Sequence, residues 1–186
     1  MTSNKKQVFV FVGSMGSGKD TCTGYLASKY GTQIFSFTNM LKDVTDRFYL
    51  EFNRENLIKI SETLRITFGE DIMAKTMAKD VEKSTADMIA IGNARRLADI
   101  EYLSKMTGFT LISITAEMPT RYERVKTRGE KSSDATQTYD QFVADHQRST
   151  ELSILEVAKH ATEHLDNNGT KDELFNKLDG LVSKYS

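Results

Sequence analysis

Apolar residues along the chain fall into short runs that alternate with helical stripes. Val8, Phe9, Val10, Phe11 and Val12 form an unbroken run, and further β-rich runs occupy Gln33 to Phe37, Met88 to Ile91, Phe109 to Ile114 and, more weakly, Ala161 to Asp166. Such runs predict strands, and their alternation with helical stretches predicts a parallel sheet covered on both faces. About fifty residues without proline separate the second run from the third. Within them Leu57, Ile60, Leu64 and Phe68 recur at i, i+3, i+7 and i+11, one apolar helical stripe. Gly69 then supplies a stop, and Asp71 can open the next helix. Leu174, Leu178 and Leu181 have helical spacing near the end of the chain, which predicts a helix packed on the sheet or serving a dimer. With no repeat, low-complexity tract or linker, residues 1–186 read as one α/β domain with a helical insert at about 38–84.

The first strand runs directly into GSMGSGKDT, Gly13 to Thr21. This matches G-x-x-x-x-G-K at Gly13, Gly18 and Lys19, with a strand before it and a predicted helix after it, as a phosphate-binding loop requires. Glycines let successive backbone N–H groups turn toward phosphate oxygens, the helix starting near Lys19 points its positive end there, and Lys19 adds a full charge. A dinucleotide-binding loop would need G-x-G-x-x-G, whereas Thr21 stands where the third glycine would fall. Asp20 occupies the usual Ser/Thr position, followed by Thr21, so Mg²⁺ is expected on the Thr21 hydroxyl, directly or through water, and on Asp20 through water. In open α/β sheets ligands sit beyond the carboxyl ends of the strands. That rule gathers Gly13 to Thr21, Ser36 to Asn39, Gly92 to Arg95 and Ala116 to Arg121 around one crevice.

Composition narrows the partners. The chain has 186 residues with 25 basic and 26 acidic side chains, a net charge of −1, which gives no overall reason to bind nucleic acid or an anionic membrane. No apolar segment approaches membrane-spanning length, the start MTSNKKQ leads into a strand instead of a signal-peptide core, and the expectation is a cytoplasmic monomer or homodimer. Cys22 cannot pair internally and is expected to be a small buried residue. His146, His160 and His164 lack a convincing set of further ligands, so they predict no metal cage.

Pro119, the only proline, is expected to begin a helix on which Arg121, Arg124 and Arg128 fall at i, i+3 and i+7, on one face. The polar stretch GEKSSDATQT follows, and the region from about 121 to 148 reads as a lid. Three arginines beside a phosphate loop suit phosphoryl transfer, whose transition state spreads negative charge over oxygens that must be clamped while water is excluded. A hydrolytic GTPase would more naturally show Lys-Ser or Lys-Thr where this chain has Lys19-Asp20.

GSMGSGKDT resembles the loops of small P-loop kinases, particularly phage-type deoxynucleoside monophosphate kinases, adenylate kinase-related proteins and dephospho-CoA kinases. The resemblance runs nearly end to end. IFSFTNMLKDV is similar to their second strand and acceptor helix, NRENLIKISETLRITFGEDIMAK to their acceptor-side helices, TRYERVKTRGEKSSDA to the lid, and HLDNNGT to the base-binding loop. It implies a three-layer α/β/α P-loop NTPase fold with about five parallel strands, a helical acceptor insert and a lid. ATP and Mg²⁺ would be the cofactors, held by Gly13, Ser14, Gly16, Ser17, Gly18, Lys19, Asp20 and Thr21, with Asn167 and Gly169 near the adenine. Arg54, Arg65 and Arg95 become candidates for the acceptor's own phosphate, Arg124 and Arg128 for the transferring group, and Lys19, Arg124 and Arg128 for catalysis. Phe37 and Phe68 can stack on an acceptor base or belong to the core.

Two departures from the group's pattern stand out. Gly92-Asn93-Ala94-Arg95 replaces the usual Asp-Gly-x-Arg, and Asn39 stands where an acid often follows the second strand. Asp20 and Asp43 can compensate only if they face the crevice. An acceptor phosphate is already an anionic nucleophile at neutral pH and needs no strong base, so a small phosphorylated acceptor, a (deoxy)nucleoside monophosphate, is expected. The alternatives are dephospho-CoA kinase and a non-catalytic nucleotide-binding protein.

Overall fold

The computed structural model describes residues 6–128, 137–146 and 149–185. Five parallel strands form one sheet: β1 (Gln7–Val12), β2 (Gln33–Ser36), β3 (Met88–Gly92), β4 (Phe109–Thr115) and β5 (Glu163–Asp166), in the order β2-β3-β1-β4-β5. The central strand β1 pairs with β3, where Val8 faces Ile89, and with β4, where Val10 faces Leu111. Its apolar run is unbroken because both faces are covered. Side-chain alternation sorts the run into two layers. Val8, Val10 and Val12 pack with Leu41, Met77, Val81, Ile89 and Val157 on one side, while Phe9 and Phe11 pack with Cys22, Leu26, Leu174, Leu178 and Leu181 on the other.

The second side is covered by α1 (Lys19–Tyr30) and the C-terminal helix (Lys171–Tyr185), so the leucine spacing near the end of the chain does mark a face packed on the sheet. These helices are tied where Tyr25, Tyr30 and Lys29 donate to the Asp179 carboxylate, at 2.7 Å each. The lysine and the two hydroxyls hold that carboxyl down near 2. On the other side lie α2 (Phe37–Arg47), α3 (Arg54–Phe68) and α4 (Ile72–Lys83), followed after β3 by the short α5 (Leu97–Ile100). Further on come α6 (Met118–Arg128), α7 (Tyr139–Asp145), α8 (Ser149–Ala158) and, numbered in chain order, the C-terminal helix as α9.

Local chemistry explains the boundaries. Ser36 caps α2, its Oγ accepting from Thr38 N–H at 3.1 Å, so β2 ends one residue before the expected Phe37. Asn53 caps α3 in the same way, and Gly69 ends it with φ 103°. Leu57, Ile60 and Leu64 pack against the core, but Phe68, last in the helix, is 63% exposed. The helical stripe therefore closes one turn early. Pro119 lies in the first turn of α6, one residue after the helix begins at Met118.

Cys22 is fully buried, and burial pushes its thiol up to about 12. An alkylating reagent at pH 8 is expected to leave Cys22 unmodified in the native protein and to label it on unfolding in urea. Stoichiometric labelling under native conditions would contradict this packing.

Candidate functional site

The loop after β1 is shaped by close contacts. A Cβ on Gly13 would lie 2.3 Å from the Ile114 carbonyl oxygen, so only glycine lets β1 and β4 approach there. Gly18 precedes α1 with φ 107°, and a Cβ on it would lie 2.3 Å from Asn167 Nδ2. Gly16 turns between them with φ 78°. Lys19 folds back over the loop, its Nζ donating to the carbonyls of Gly13 at 2.6 Å and Ser14 at 3.1 Å. The ammonium, the glycine backbone and the positive end of α1 thus converge at one place. Ser17 is buried at the same turn, and its Oγ has no hydrogen-bond partner among the described residues.

Asn167 does something the sequence did not reveal. It follows β5, is buried, and donates from Nδ2 to the Ser17 carbonyl at 2.8 Å, while its own N–H bonds Thr115 O. It therefore buttresses the phosphate loop from the end of the sheet. Gly169 lies on the exposed turn beyond, next to Thr170 and Glu173, which cap α9 reciprocally.

Arg121 also departs from expectation. Its guanidinium turns inward and is buried, donating to Ala116 O at 3.0 Å and to Met15 O in the phosphate loop at 3.3 Å, and meeting His146 Nε2. His146 Nδ1 lies 2.7 Å from the Phe142 carbonyl, which can only accept. Nδ1 therefore carries the proton and Nε2 accepts from Arg121. Arg124, one turn on, is half-buried, and its Nη1 is buried with no partner among the described residues. Arg128 closes α6 and Arg54 opens α3, but the side chains of both lie outside the described residues, as does 129–136 of the expected lid.

Beside the loop opens a crevice of about 280 Å³ lined by Asp20, Thr23, Ile34, Phe35, Ser36, Thr38, Asn39, Gly92 and Asn93. It sits at the carboxyl ends of β2 and β3, where the sheet rule places it. Asp20 is the only carboxylate among the described residues that line it, and Asp43, exposed on α2, is not one of them. A Cβ on Gly92 would meet nothing within 4 Å, so there is open space where the family's acid would begin. Asn93, with φ 64°, donates from Nδ2 to Ser36 Oγ at 3.3 Å. Thr21 lies half-buried in the first turn of α1. A larger depression of about 510 Å³, lined by Leu97, Ile100, Phe109, Leu111 and His160 among others, borders the start of β4 and shares no residue with the loop.

Of the acceptor-side candidates, Phe37, Arg65 and Arg95 divide. Phe37 is 5% exposed and packs in the core with Leu41, so base stacking gives way to core packing. Arg65 is also 5% exposed: it pairs with Asp99 at 2.8 Å and donates to the Glu70 carbonyl, and is not presented to the crevice as a phosphate ligand. Arg95 is exposed directly after the crevice residues Gly92 and Asn93, and its side chain has no partner among the described residues.

No family model matches the chain. A UPF0200 protein of Methanocaldococcus jannaschii is 27% identical over 174 residues, covering 92% of this chain and 87% of that one. A UPF0200 protein of Sulfurisphaera tokodaii is 25% identical over 179 residues, covering 96% and 97%. Among solved structures, shikimate kinase from Bacteroides thetaiotaomicron superposes with a TM-score of 0.64 at 12% identity over 95% of this chain and 98% of its own. A gluconokinase from Sinorhizobium meliloti 1021 gives 0.61 at 16% identity over 96% and 93%. The chain is similar across nearly its whole length to UPF0200 proteins and has the three-layer α/β/α fold of P-loop kinases.

Proposed function

We propose that the chain is an ATP-dependent phosphotransferase moving the γ-phosphoryl group to a small phosphorylated acceptor, with a (deoxy)nucleoside monophosphate as the favoured class. The observation that carries this reading is Arg124, whose Nη1 is buried without a hydrogen-bond partner among the described residues, one turn from an arginine that touches the phosphate loop. A buried guanidinium N–H left unpaired is costly, and an oxyanion is its natural complement. Lys19 and the glycine backbone supply charge for the β- and γ-phosphates. The oxygen donors at the start of α1 fit a hard cation: Mg²⁺ would be held by Thr21, phosphate oxygens and water, with Asp20 ordering the waters. Among the described residues no group of three His, Cys, Asp or Glu could hold a metal ion.

What lines the crevice supports this acceptor class. Asn39, Gly92 and Asn93 offer no general base, and the one carboxylate among the described lining residues, Asp20, is the one given to the Mg²⁺ waters; a phosphate acceptor needs no base, whereas a hydroxyl acceptor such as dephospho-CoA benefits from one. The fold neighbours named as kinases support the reaction class. Gly92 and Asn39 equally favour a rival reading, a nucleotide-binding protein without transfer activity, against which Arg124 stands.

A coupled ADP-release screen over the nucleoside monophosphates and dephospho-CoA tests the proposal. Acceptor-dependent ADP release with a monophosphate is expected, and tight ATP binding with no release for any acceptor would favour the rival. With the acceptor in hand, Arg124→Ala is expected to lower kcat by about 10²-fold with ATP affinity nearly unchanged, since this donor is arranged for charge that develops in the transition state. A rise confined to the KM for ATP would make Arg124 a simple binding contact.

A further inference from the structure

Two arginines follow one another after β3, and the structure treats them differently. Arg96 is paired with Glu70 at 3.1 Å, whereas the Arg95 side chain is exposed and has no partner among the described residues. What holds their backbone is Asp99, 3% exposed, whose Oδ2 accepts from both Arg95 N–H and Arg96 N–H at 3.0 Å. Its other oxygen receives Arg65 Nη2 at 2.8 Å. Arg65 in turn donates to the Glu70 carbonyl, at the turn between α3 and α4. The other end of the segment is fixed by Asn93 on Ser36, the residue that caps α2.

We infer that Asp99, held by Arg65, is a positioning residue that aims Arg95 at the phosphate of the acceptor. The inference rests on the phosphotransferase reading above and refines the acceptor side of the same site. A carboxylate with both oxygens engaged by three donors fixes a turn far more narrowly than a lone exposed pair does. It joins α3 through one buried ion pair to the segment after β3, where Gly92 and Asn93 line the crevice. Arg65, which the resemblance offered as a phosphate ligand, thereby acts through Arg95. A planar guanidinium matches phosphate oxygens two at a time, and Arg95 follows the lining residues Gly92 and Asn93 by two positions.

A double-mutant cycle on the full chain tests this. With the phosphate loop saturated by Mg²⁺ and a non-hydrolysable ATP analogue, orthophosphate affinity is measured by NMR titration for wild type, Arg95→Ala, Asp99→Asn and the double variant. Melting temperature and analogue affinity are followed in parallel. Arg95→Ala is expected to weaken orthophosphate about tenfold or more, as loss of charged hydrogen bonds should. Asp99→Asn should weaken it severalfold, and the double variant should bind no worse than Arg95→Ala alone. Additive losses, or wild-type orthophosphate binding in a folded Asp99→Asn or Arg95→Ala, would overturn the inference. Should Asp99→Asn fail to fold, Arg65→Lys, which keeps the charge and loses the fork, enters the same cycle with the same expectations. Absence of transfer in the acceptor screen with the cycle still non-additive would count against the phosphotransferase reading and leave the positioning role standing. Transfer at wild-type acceptor KM in Asp99→Asn would do the reverse.

Discussion

Lys19→Ala is expected to reduce ATP-dependent phosphoryl transfer by about 10²-fold or more while the chain stays folded, since one preorganised cationic contact is lost where transition-state charge builds. The structure explains why folding should survive. Lys19 Nζ bonds the Gly13 and Ser14 carbonyls, but the loop's path is also fixed by the close approach of Gly13 to Ile114 and by Asn167 on Ser17 O. Circular dichroism and the melting temperature should therefore remain close to wild type. Transfer within a few-fold of wild type in such a folded variant would move the chemistry away from this loop.

Arg65→Ala is expected to be the most damaging single change to stability on the acceptor side, about 3–5 kcal/mol, because it strands the Asp99 carboxylate in the interior without its counter-charge. For a chain of this size that corresponds to a fall in melting temperature on the order of 6–20 °C. Arg65→Ala combined with Asp99→Ala should lose less than the sum of the two single changes, since the double change leaves no isolated charge. Exposed pairs such as Lys59–Glu55 should shift the melting temperature little when broken. Thermal denaturation of wild type and the four variants decides the matter, and a loss for Arg65→Ala no larger than for Lys59→Ala would show that the buried pair carries no special weight.

What could be read from the sequence was what depends on near neighbours. The run from Val8 to Val12, the glycine and lysine spacing that follows, and the stripe of Leu57, Ile60 and Leu64 are local patterns with a fixed period, and the sheet and its phosphate loop follow from them. Cys22, placed beside a helix start where a thiol could have been activated, was expected to be buried, and it is. Polar pairings over long separations were not legible. Asp99 meets Arg65 across 34 residues and Asn167 meets Ser17 across 150, and in each case the chain order gives no sign that the partner will be adjacent. Arg121 shows the same limit on a helix. Its spacing puts it with Arg124, yet Met15 and His146 draw its guanidinium inward, and only the path of the loop and the placement of α7 reveal that. Phe37 could have been placed from its position just after the Ser36 cap, since a residue opening a helix at the end of a buried sheet commonly turns toward the core.

Following the γ-phosphorus of ATP by ³¹P NMR, with Mg²⁺ and the acceptor found in the screen, tests the central claim most directly, because the product's signal reports which bond was formed. The proposed chemistry gives a new phosphoanhydride doublet, coupled to the acceptor's own phosphorus, growing as ADP appears and absent with Lys19→Ala. A phosphate-ester singlet would show a hydroxyl acceptor, and inorganic phosphate alone would show hydrolysis; either result would contradict transfer to a phosphorylated acceptor.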